Sequence, residues 1–182
     1  MAFFDENIIT IFAVLTIISN VIILLFVLDF LILKNSKKKL LGDFWEHIGK
    51  KRVLYSFVVA LVAMGGSLTF SEILNFTPCK LCWFQRIFMY PISFLSGLAL
   101  YLKDKKIMNY ILLLAIIGLP IAGLHYFGQT SESTSLPCDA IGYSASCSAS
   151  FFMEFGYITI PFMALSAFIL IIIFWYLGRE YN

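Results

Sequence analysis

A closely spaced pair of cysteines stands next to an arginine in the stretch TPCKLCWFQR, residues 77–86. Cys79 and Cys82 are three positions apart, so a helix would present both on one face. Pro78 directly precedes them, and proline is common where helices start. Free N–H groups and the positive end of the helix dipole favour a thiolate there. The pattern predicts a redox-active dithiol in the first turn of a helix. A structural disulfide and half of a metal site are the alternatives.

Arg86 follows Cys82 by four residues and is predicted to share its face, about 6 Å further along the helix. A guanidinium at that depth in a membrane needs a partner, although a long side chain can also snorkel to the lipid headgroups. We expect Arg86 to hold an anionic partner, or the reduced form of a bound electron acceptor, beside the dithiol.

A second pair of cysteines, Cys138 and Cys147, lies in the one long polar segment, residues 128–150. A disulfide across so short a segment adds little stability to a fold. It suits thiol–disulfide exchange, which requires an accessible sulfur, and we expect the serine-rich flanks to keep the pair exposed. A simple loop clip is the alternative. Two dithiols in one chain predict an electron relay.

The elements that carry these residues are predicted to be membrane helices. The chain of 182 residues is 60% hydrophobic and only 13% charged, whereas about a quarter of the residues in a soluble domain are charged. Five apolar runs approach the roughly 20 residues that cross a bilayer as a helix; they cover 8–33, 53–71, 83–102, 107–126 and 155–177. The fold class is therefore predicted to be all-α and integral to a membrane. Asp5 and Glu6 precede the first run, which favours an uncleaved helix over a secretory signal.

The positions of the basic residues predict the orientation. Eleven of the thirteen Lys and Arg residues fall on one side of the membrane if the chain crosses five times: Lys34, Lys37, Lys38, Lys39, Lys50, Lys51, Arg52, Lys103, Lys105, Lys106 and Arg179. Basic loops stay cytoplasmic, so the loops 72–82 and 127–153 are predicted to be exterior. All four cysteines then lie outside the cytoplasm, where disulfides persist. A first helix lying in the interface would leave these sides unchanged.

The same pattern divides the chain into four segments. We predict an extra N-terminal transmembrane helix at 1–34, a cytoplasmic basic and amphipathic segment at 35–52, a four-helix membrane bundle at 53–177, and a cytoplasmic tail at 178–182. Within the segment 35–52, the short amphipathic stretch LLGDFWEHIG at 40–49 is expected to lie on the membrane surface, with a plain linker as the alternative.

Electrons that leave a dithiol need an acceptor. Trp83 follows Cys82 where a haem-attachment motif would carry histidine, and the chain has no glycine-rich dinucleotide motif. A lipid-soluble quinone, either ubiquinone or menaquinone, reaches such a site from the membrane and is the expected cofactor.

The motif PCKLCWFQR, with GLHYFGQ at 123–129 and GYITIPFMAL at 156–165, resembles the disulfide bond formation protein B (DsbB/BdbC) family over about residues 53–177. The resemblance implies a four-helix bundle in a bacterial cytoplasmic (inner) membrane, with a quinone held near its exterior face. It also implies a thioredoxin-like, DsbA-like exported oxidase as the partner that the protein reoxidises.

The resemblance further implies a role for each candidate site residue. The partner's thiolate would attack Cys138, and Cys147 would then pass electrons to Cys79. The thiolate of Cys82 would engage the quinone with help from Arg86. His125 would line the quinone pocket, unless it is only an amphipathic residue at the membrane edge. Gln85 stands where some family members carry a glutamate. No metal ligand is assigned.

Two other functions fit parts of the pattern. A vitamin K epoxide reductase-like enzyme also has two cysteine pairs, but its CxxC comes last in the chain, whereas here it comes first. A non-enzymatic membrane scaffold with two structural disulfides is the other alternative.

Overall fold

The computed structural model describes residues 2–33, 41–131, 147 and 150–181. Six α-helices occur in these residues: α1 (Ala2–Leu33), α2 (Gly42–Lys50), α3 (Arg52–Leu68), α4 (Lys80–Leu102), α5 (Met108–Thr130) and α6 (Ile160–Glu180). The all-α prediction is confirmed. Cys138 and the basic residues between α1 and α2 lie outside the described residues.

Helices α3, α4, α5 and α6 form a four-helix bundle. Each packs against the next, and α6 returns to contact α3. The core between them contains fully buried Ile92, Ile111, Phe168 and Ile171. The start of α4 meets the end of α5, where Cys79 contacts His125. The start of α3 meets the end of α6, where Arg52 Nη1 donates a hydrogen bond to the Gly178 carbonyl. Neighbouring helices therefore run antiparallel.

Within the part of the chain that the structure describes, four helical segments are long and apolar enough to cross a membrane: Glu6–Leu31, Arg52–Ile73, Lys105–Thr130 and Ile160–Glu180. Helix α4 has 23 residues but is not among them. It carries Gln85, Arg86 and the buried Ser93 and Ser96, which lower its mean hydropathy. Its place between α3 and α5 lets such side chains face protein. The predicted span at 83–102 therefore stays a prediction.

The helix ends differ from the predicted ones at three points. Helix α3 continues into a π-helical turn at Thr69–Ile73, so the first predicted loop is shorter than expected, and α5 extends to Thr130, so the second one begins later. Helix α6 begins at Ile160 rather than near 155. Its Pro161 lies in the first turn, the helical position that tolerates proline best.

Helix α1 packs against α6. The Ser166 hydroxyl of α6 donates a hydrogen bond to Asn20 Oδ1, at 2.9 Å. Near its N-terminal end, the ring of Phe12 meets the ring of Phe70 edge-on, with the centroids 5.3 Å apart.

Helix α2 was predicted as an amphipathic stretch on the membrane surface, and it is amphipathic. Its apolar side, however, packs on protein: Trp45 is only 1% exposed and lies among Leu170, Phe174 and Leu177 of α6. The ring of Phe26 on α1 also meets Trp45 edge-on. Helix α2 therefore joins α1 and α6 at the end of the bundle that carries the basic residues.

Candidate redox site

The cysteine pair opens α4, as its spacing predicts. Cys79 is the N-cap, with extended backbone, and its sulfur accepts a hydrogen bond from the Cys82 backbone N–H at 3.4 Å. The two sulfurs are 3.1 Å apart, and neither cysteine is disulfide-bonded. The structure therefore contains a reduced dithiol. The Cys79 sulfur caps the helix as a serine or aspartate oxygen usually does.

His125, near the end of α5, lies directly beside this dithiol. Its side chain is 1% exposed, and its Nε2 is 3.5 Å from Cys79 Sγ. On the other side of the ring, Nδ1 is 2.8 Å from Gln85 Nε2. When the Gln85 amide donates to Nδ1, the neutral ring carries its proton on Nε2, facing the Cys79 sulfur. His125 is therefore a buried partner of the dithiol and not a residue of the exposed membrane edge.

These contacts set the acidity of Cys79. Its side-chain hydrogen bond with Cys82 is the largest influence, and the hydrogen bond and electrostatic attraction of His125 add to it against the opposing cost of burial. Together they lower the pKa of Cys79 to about 4, far below that of an ordinary thiol, about 8.5. The negative charge of the reduced dithiol is therefore held on Cys79.

Arg86 lies on the face of α4 that carries Cys82 and is tied to α3. Its Nε donates to Ser67 Oγ at 2.9 Å, and its Nη2 donates to the Ser67 carbonyl at 3.0 Å. The guanidinium also lies 5.2 Å from the centre of the Trp83 ring, within the range of a cation–π contact. These contacts fix the positive charge of Arg86 beside Cys82. A guanidinium has five N–H donors, and Ser67 accepts from two of its nitrogens.

A cavity of about 330 Å³ begins at Cys82 and Arg86 and extends between α1, α3 and α6. Its polar groups gather at one end, where Cys82, Gln85 and Arg86 contribute to the wall, together with Ser67. The rest of the lining is mainly aliphatic or aromatic, with further hydroxyls from Thr16 and Ser19 of α1, from Ser71 and from the phenols of Tyr55 and Tyr90. Such a cavity suits a long amphipathic ligand with a hydrogen-bonding head and an apolar tail.

A second, much smaller cavity of about 10 Å³ lies on the other side of Cys82, lined by Cys79, His125 and Thr159 among others. Thr159 is buried, and its hydroxyl has no hydrogen-bond partner in the part of the chain that the structure describes. The volume is close to the minimum that holds one water molecule. His125 lines this small cavity, not the large one.

Cys147 is brought to the same place. It is disulfide-bonded and 0% exposed, and it packs against Cys79, with Leu81 and Cys82 beside them. The prediction that this cysteine is exposed is wrong, because the composition of its serine-rich flanks does not show what the segment packs against. Cys138, the other member of the pair, lies outside the described residues.

Three of these residues also form a cluster of possible metal ligands. The ligand atoms of Cys79, Cys82 and His125 lie within 4.8 Å of one another. A structural zinc site normally has four protein ligands, and no fourth one joins this cluster among the described residues.

Sequence reasoning did not single out Gln85 and Ser67 as site residues. Gln85 had a signal, because it is a polar residue in an apolar helix three positions after Cys82, on the same face. Ser67 had none, since a serine in a membrane helix usually bonds to its own backbone.

Comparison with known proteins identifies the chain. The family model described as "Disulfide bond formation protein DsbB" matches residues 50–178. The chain belongs to the DsbB family. No solved structure matches it significantly.

Several relatives carry names of the same kind. Disulfide bond formation protein C of Bacillus subtilis (strain 168) is 48% identical over 130 residues, which are 69% of this chain and 92% of that protein. The SPbeta prophage-derived disulfide bond formation protein B of the same strain is 40% identical over 122 residues, 67% of this chain and 81% of that protein. Probable disulfide formation protein C 1 of Bacillus cereus (strain ATCC 10987 / NRS 248) is 46% identical over 112 residues, 62% and 80% of the two chains.

Membership of the DsbB family implies thiol oxidoreductase activity, in a family that is generally linked to quinones. The candidate spans make the chain a multi-pass membrane protein. The vitamin K epoxide reductase-like alternative gains no support from these matches. The scaffold with two structural disulfides disagrees with the free thiols of Cys79 and Cys82.

Proposed function

We propose that the protein is a thiol:quinone oxidoreductase of a bacterial cytoplasmic (inner) membrane, with its cysteines at the exterior face. It reoxidises a DsbA-like, thioredoxin-like exported oxidase and so drives disulfide bond formation. One observation carries the proposal: the Cys79 sulfur packs against Cys147 on one side, and its dithiol partner Cys82 lines a long apolar cavity on the other. The dithiol thus links a second redox cysteine to a space suited to a membrane-soluble acceptor.

The first half of the cycle is thiol–disulfide exchange, with Cys138 as the disulfide partner of Cys147. A thiolate of the reduced partner protein attacks Cys138, breaks the Cys138–Cys147 bond and releases Cys147 as a thiolate. Cys147 then attacks Cys79 in an oxidised Cys79–Cys82 bond and releases the Cys82 thiolate. The partner's second thiolate attacks the partner sulfur that is bound to Cys138, which forms the partner's disulfide and releases the Cys138 thiolate. Cys138 then attacks Cys147 in the Cys79–Cys147 bond, which restores the Cys138–Cys147 disulfide and releases Cys79 as a thiolate. The partner leaves oxidised, and Cys79 and Cys82 hold its two electrons.

The geometry supports Cys79 as the sulfur under attack. It packs against Cys147, and its low pKa makes it a good leaving group when Cys138 displaces it. In the mixed disulfide between Cys79 and Cys147, the freed Cys82 thiolate lies on the same face of α4 as Arg86, whose positive charge stabilises it.

The large cavity fits a quinone. Arg86 offers N–H donors at its polar end, where the carbonyl oxygens of a quinone ring accept hydrogen bonds, and its apolar length matches an isoprenoid tail. A quinone bound there would accept two electrons and two protons as the Cys79–Cys82 dithiol becomes a disulfide. The ring of Phe76 stacks on that of Phe151, with the centroids 4.7 Å apart, and both line this end. We expect this aromatic pair to exclude water from the reacting sulfur.

His125 and Gln85 support this chemistry from the other side. The His125 proton on Nε2 stabilises the Cys79 thiolate, and Gln85 fixes the ring that carries it. The proposal assigns these two residues to the dithiol, with His125 outside the quinone cavity.

The test is anaerobic mixing of purified protein, a soluble quinone analogue and a reduced thioredoxin-like partner, with quinol formation followed by absorbance. We expect wild type to turn over, and Cys79→Ser and Cys82→Ser to form no quinol. Cys138→Ser is the matched control, since it removes a cysteine of the other pair. Chemically reduced Cys138→Ser protein should still form one quinol per molecule but should not turn over with the partner. Activity of Cys82→Ser equal to that of wild type would contradict the proposal.

A further inference from the structure

Helix α1 forms one long side of the large cavity. Its residues Phe12, Leu15, Thr16, Ile18, Ser19 and Ile22 line the space over three helical turns. The family match begins only at residue 50. The aligned residues make up 92% of the Bacillus subtilis protein C, which leaves too little of that protein for a counterpart of the 32-residue α1. Relative to that protein, this side of the cavity is an addition.

Helix α1 contacts the rest of the protein at three positions along its axis. Phe12 packs on Phe70 near the cysteine end, Asn20 is hydrogen-bonded to Ser166 at mid-height, and Phe26 packs on Trp45 at the basic end. Hydrogen bonds between helices are among the few interactions that hold membrane helices in a defined register. These contacts, spread from Phe12 to Phe26, make this part of α1 a wall with a defined position.

The wall that α1 presents is apolar in effect. The two hydroxyls it contributes are already bonded within the helix: Thr16 donates to the Phe12 carbonyl at 2.8 Å, and Ser19 donates to the Leu15 carbonyl at 2.9 Å. On the opposite side, Ala63 of α3 and Ala164 and Ala167 of α6 line the cavity with small side chains. The result is an apolar slot that continues from the polar end at Cys82 and Arg86.

We propose that this slot holds the isoprenoid tail of the quinone, with α1 as its outer wall. The inference rests on the proposed quinone-dependent function and adds to it the path of the tail and the role of the extra helix. The occupant follows from continuity, because one cavity contains both the donors at Arg86 and the slot along α1. Its volume of about 330 Å³ lies within the range of small-molecule sites, roughly 300–1,000 Å³. Without α1, the tail would lie between α3 and α6 in contact with lipid.

The direct test uses two photoreactive quinones with the full protein in lipid nanodiscs. One carries a diazirine beside the ring, and the other carries it on an inner isoprenoid unit of the tail. We expect the ring probe to label residues near Cys82 and Arg86, and the tail probe to label α1 between Leu15 and Ile22, as mapped by mass spectrometry. Excess quinone with the same tail should displace both.

The outcomes separate this inference from the proposed function. Ring-probe labelling near Cys82 without tail-probe labelling of α1 overturns the inference and leaves the proposed function standing. Tail-probe labelling of α1 that unlabelled quinone does not displace also overturns it, because the slot then holds any lipid-like chain. Failure of the ring probe to label this end of the cavity contradicts the proposed function itself.

A pair of variants tests the wall by equilibrium binding rather than activity. Ser19→Phe puts a ring into the slot, and Val14→Phe adds the same ring on the exposed side of α1 as a control. We expect Ser19→Phe to weaken binding of a long-tailed quinone by about tenfold through overpacking, and to leave binding of a tail-less quinone within about twofold. Val14→Phe should change neither, as most surface substitutions do. Equal binding of the long-tailed quinone by both variants would overturn the inference.

Discussion

At the scale of single residues, the site depends on the different surroundings of the two sulfurs of the dithiol, Cys79 and Cys82. Cys79 caps a helix, accepts a hydrogen bond from the Cys82 backbone N–H and lies beside His125 Nε2, and its lowered pKa makes it the sulfur that holds the negative charge. Cys82 faces the large cavity and Arg86 instead. One sulfur is therefore suited to exchange with another cysteine, and the other to an acceptor in the membrane.

The acidity of Cys79 gives a prediction about pH. Alkylation requires the thiolate, so the rate at Cys79 in reduced wild type should remain high as pH falls from 8 to 6 and should decline only near its pKa of about 4. Removing a hydrogen-bond partner destabilises the thiolate and moves the midpoint upward. We expect His125→Ala to raise it by about one unit and Cys82→Ala to raise it further, since the Cys82 side chain is the larger influence.

Mass spectrometry of iodoacetamide-treated protein across this pH range measures the midpoint for Cys79 alone. The control is His47→Ala, which removes the other histidine of the chain, on α2, and should leave the midpoint unchanged. A wild-type midpoint near 8 would show that these contacts do not act on Cys79.

At the scale of helices, close packing positions the two helix ends that form the site. Gly118 of α5 lies against the ring of Phe168 of α6, and a Cβ added at Gly118 would overlap that ring. The α5–α6 contact holds the helix that carries His125 against the helix that follows Thr159. Space at Gly118 is therefore a condition for the geometry at the dithiol.

We predict that Gly118→Ala lowers the stability of the bundle by about 1–3 kcal/mol, the usual cost of overpacking a core. Gly65→Ala is the matched control, because nothing lies within 4 Å of a Cβ added there. It should leave stability unchanged or raise it by up to about 1 kcal/mol through helix propensity. Thermal unfolding of the detergent-solubilised proteins gives both values, and equal losses in the two variants would contradict this packing.

The sequence predicts a helix well when the pattern that signals it lies within one segment of the chain. The apolar runs predicted most helices, and the Pro78–Cys79–Cys82 spacing predicted the start of α4, because both signals lie within one segment. The burial of Trp45 and Cys147 depends on partners that are more than 60 residues away in the chain. Local composition therefore predicted a membrane-surface position for the segment of Trp45 and an exposed position for Cys147, and both are buried against protein instead. The same holds for α1, whose apolar run predicts a helix but does not show that it encloses a cavity.

At the scale of the whole molecule, the bundle brings distant parts of the chain to one corner. Cys79 begins α4, His125 lies near the end of α5, and Cys147 precedes α6. The opposite end gathers basic side chains such as Arg52, Lys103 and Arg179, in keeping with cytoplasmic exposure of that end. In the proposed function, the antiparallel order of four helices joins the corner that exchanges with another protein to the cavity that takes a lipid-soluble carrier.

The central claim is that electrons pass from Cys147 to Cys79, and trapping that bond tests it most directly. The double variant Cys82→Ser/Cys138→Ser leaves Cys79 and Cys147, and Cys79→Ser/Cys138→Ser leaves Cys82 and Cys147 as its matched control. After mild oxidation with glutathione disulfide, peptide mapping without reductant should find the Cys79–Cys147 bond in most molecules of the first variant. The control should form a Cys82–Cys147 bond several-fold less, because Cys79 and Cys147 are the buried members of one cluster, whereas Cys82 is only partly buried and lines the large cavity. A Cys82–Cys147 bond that forms as readily as the Cys79–Cys147 bond, or more readily, would contradict the account.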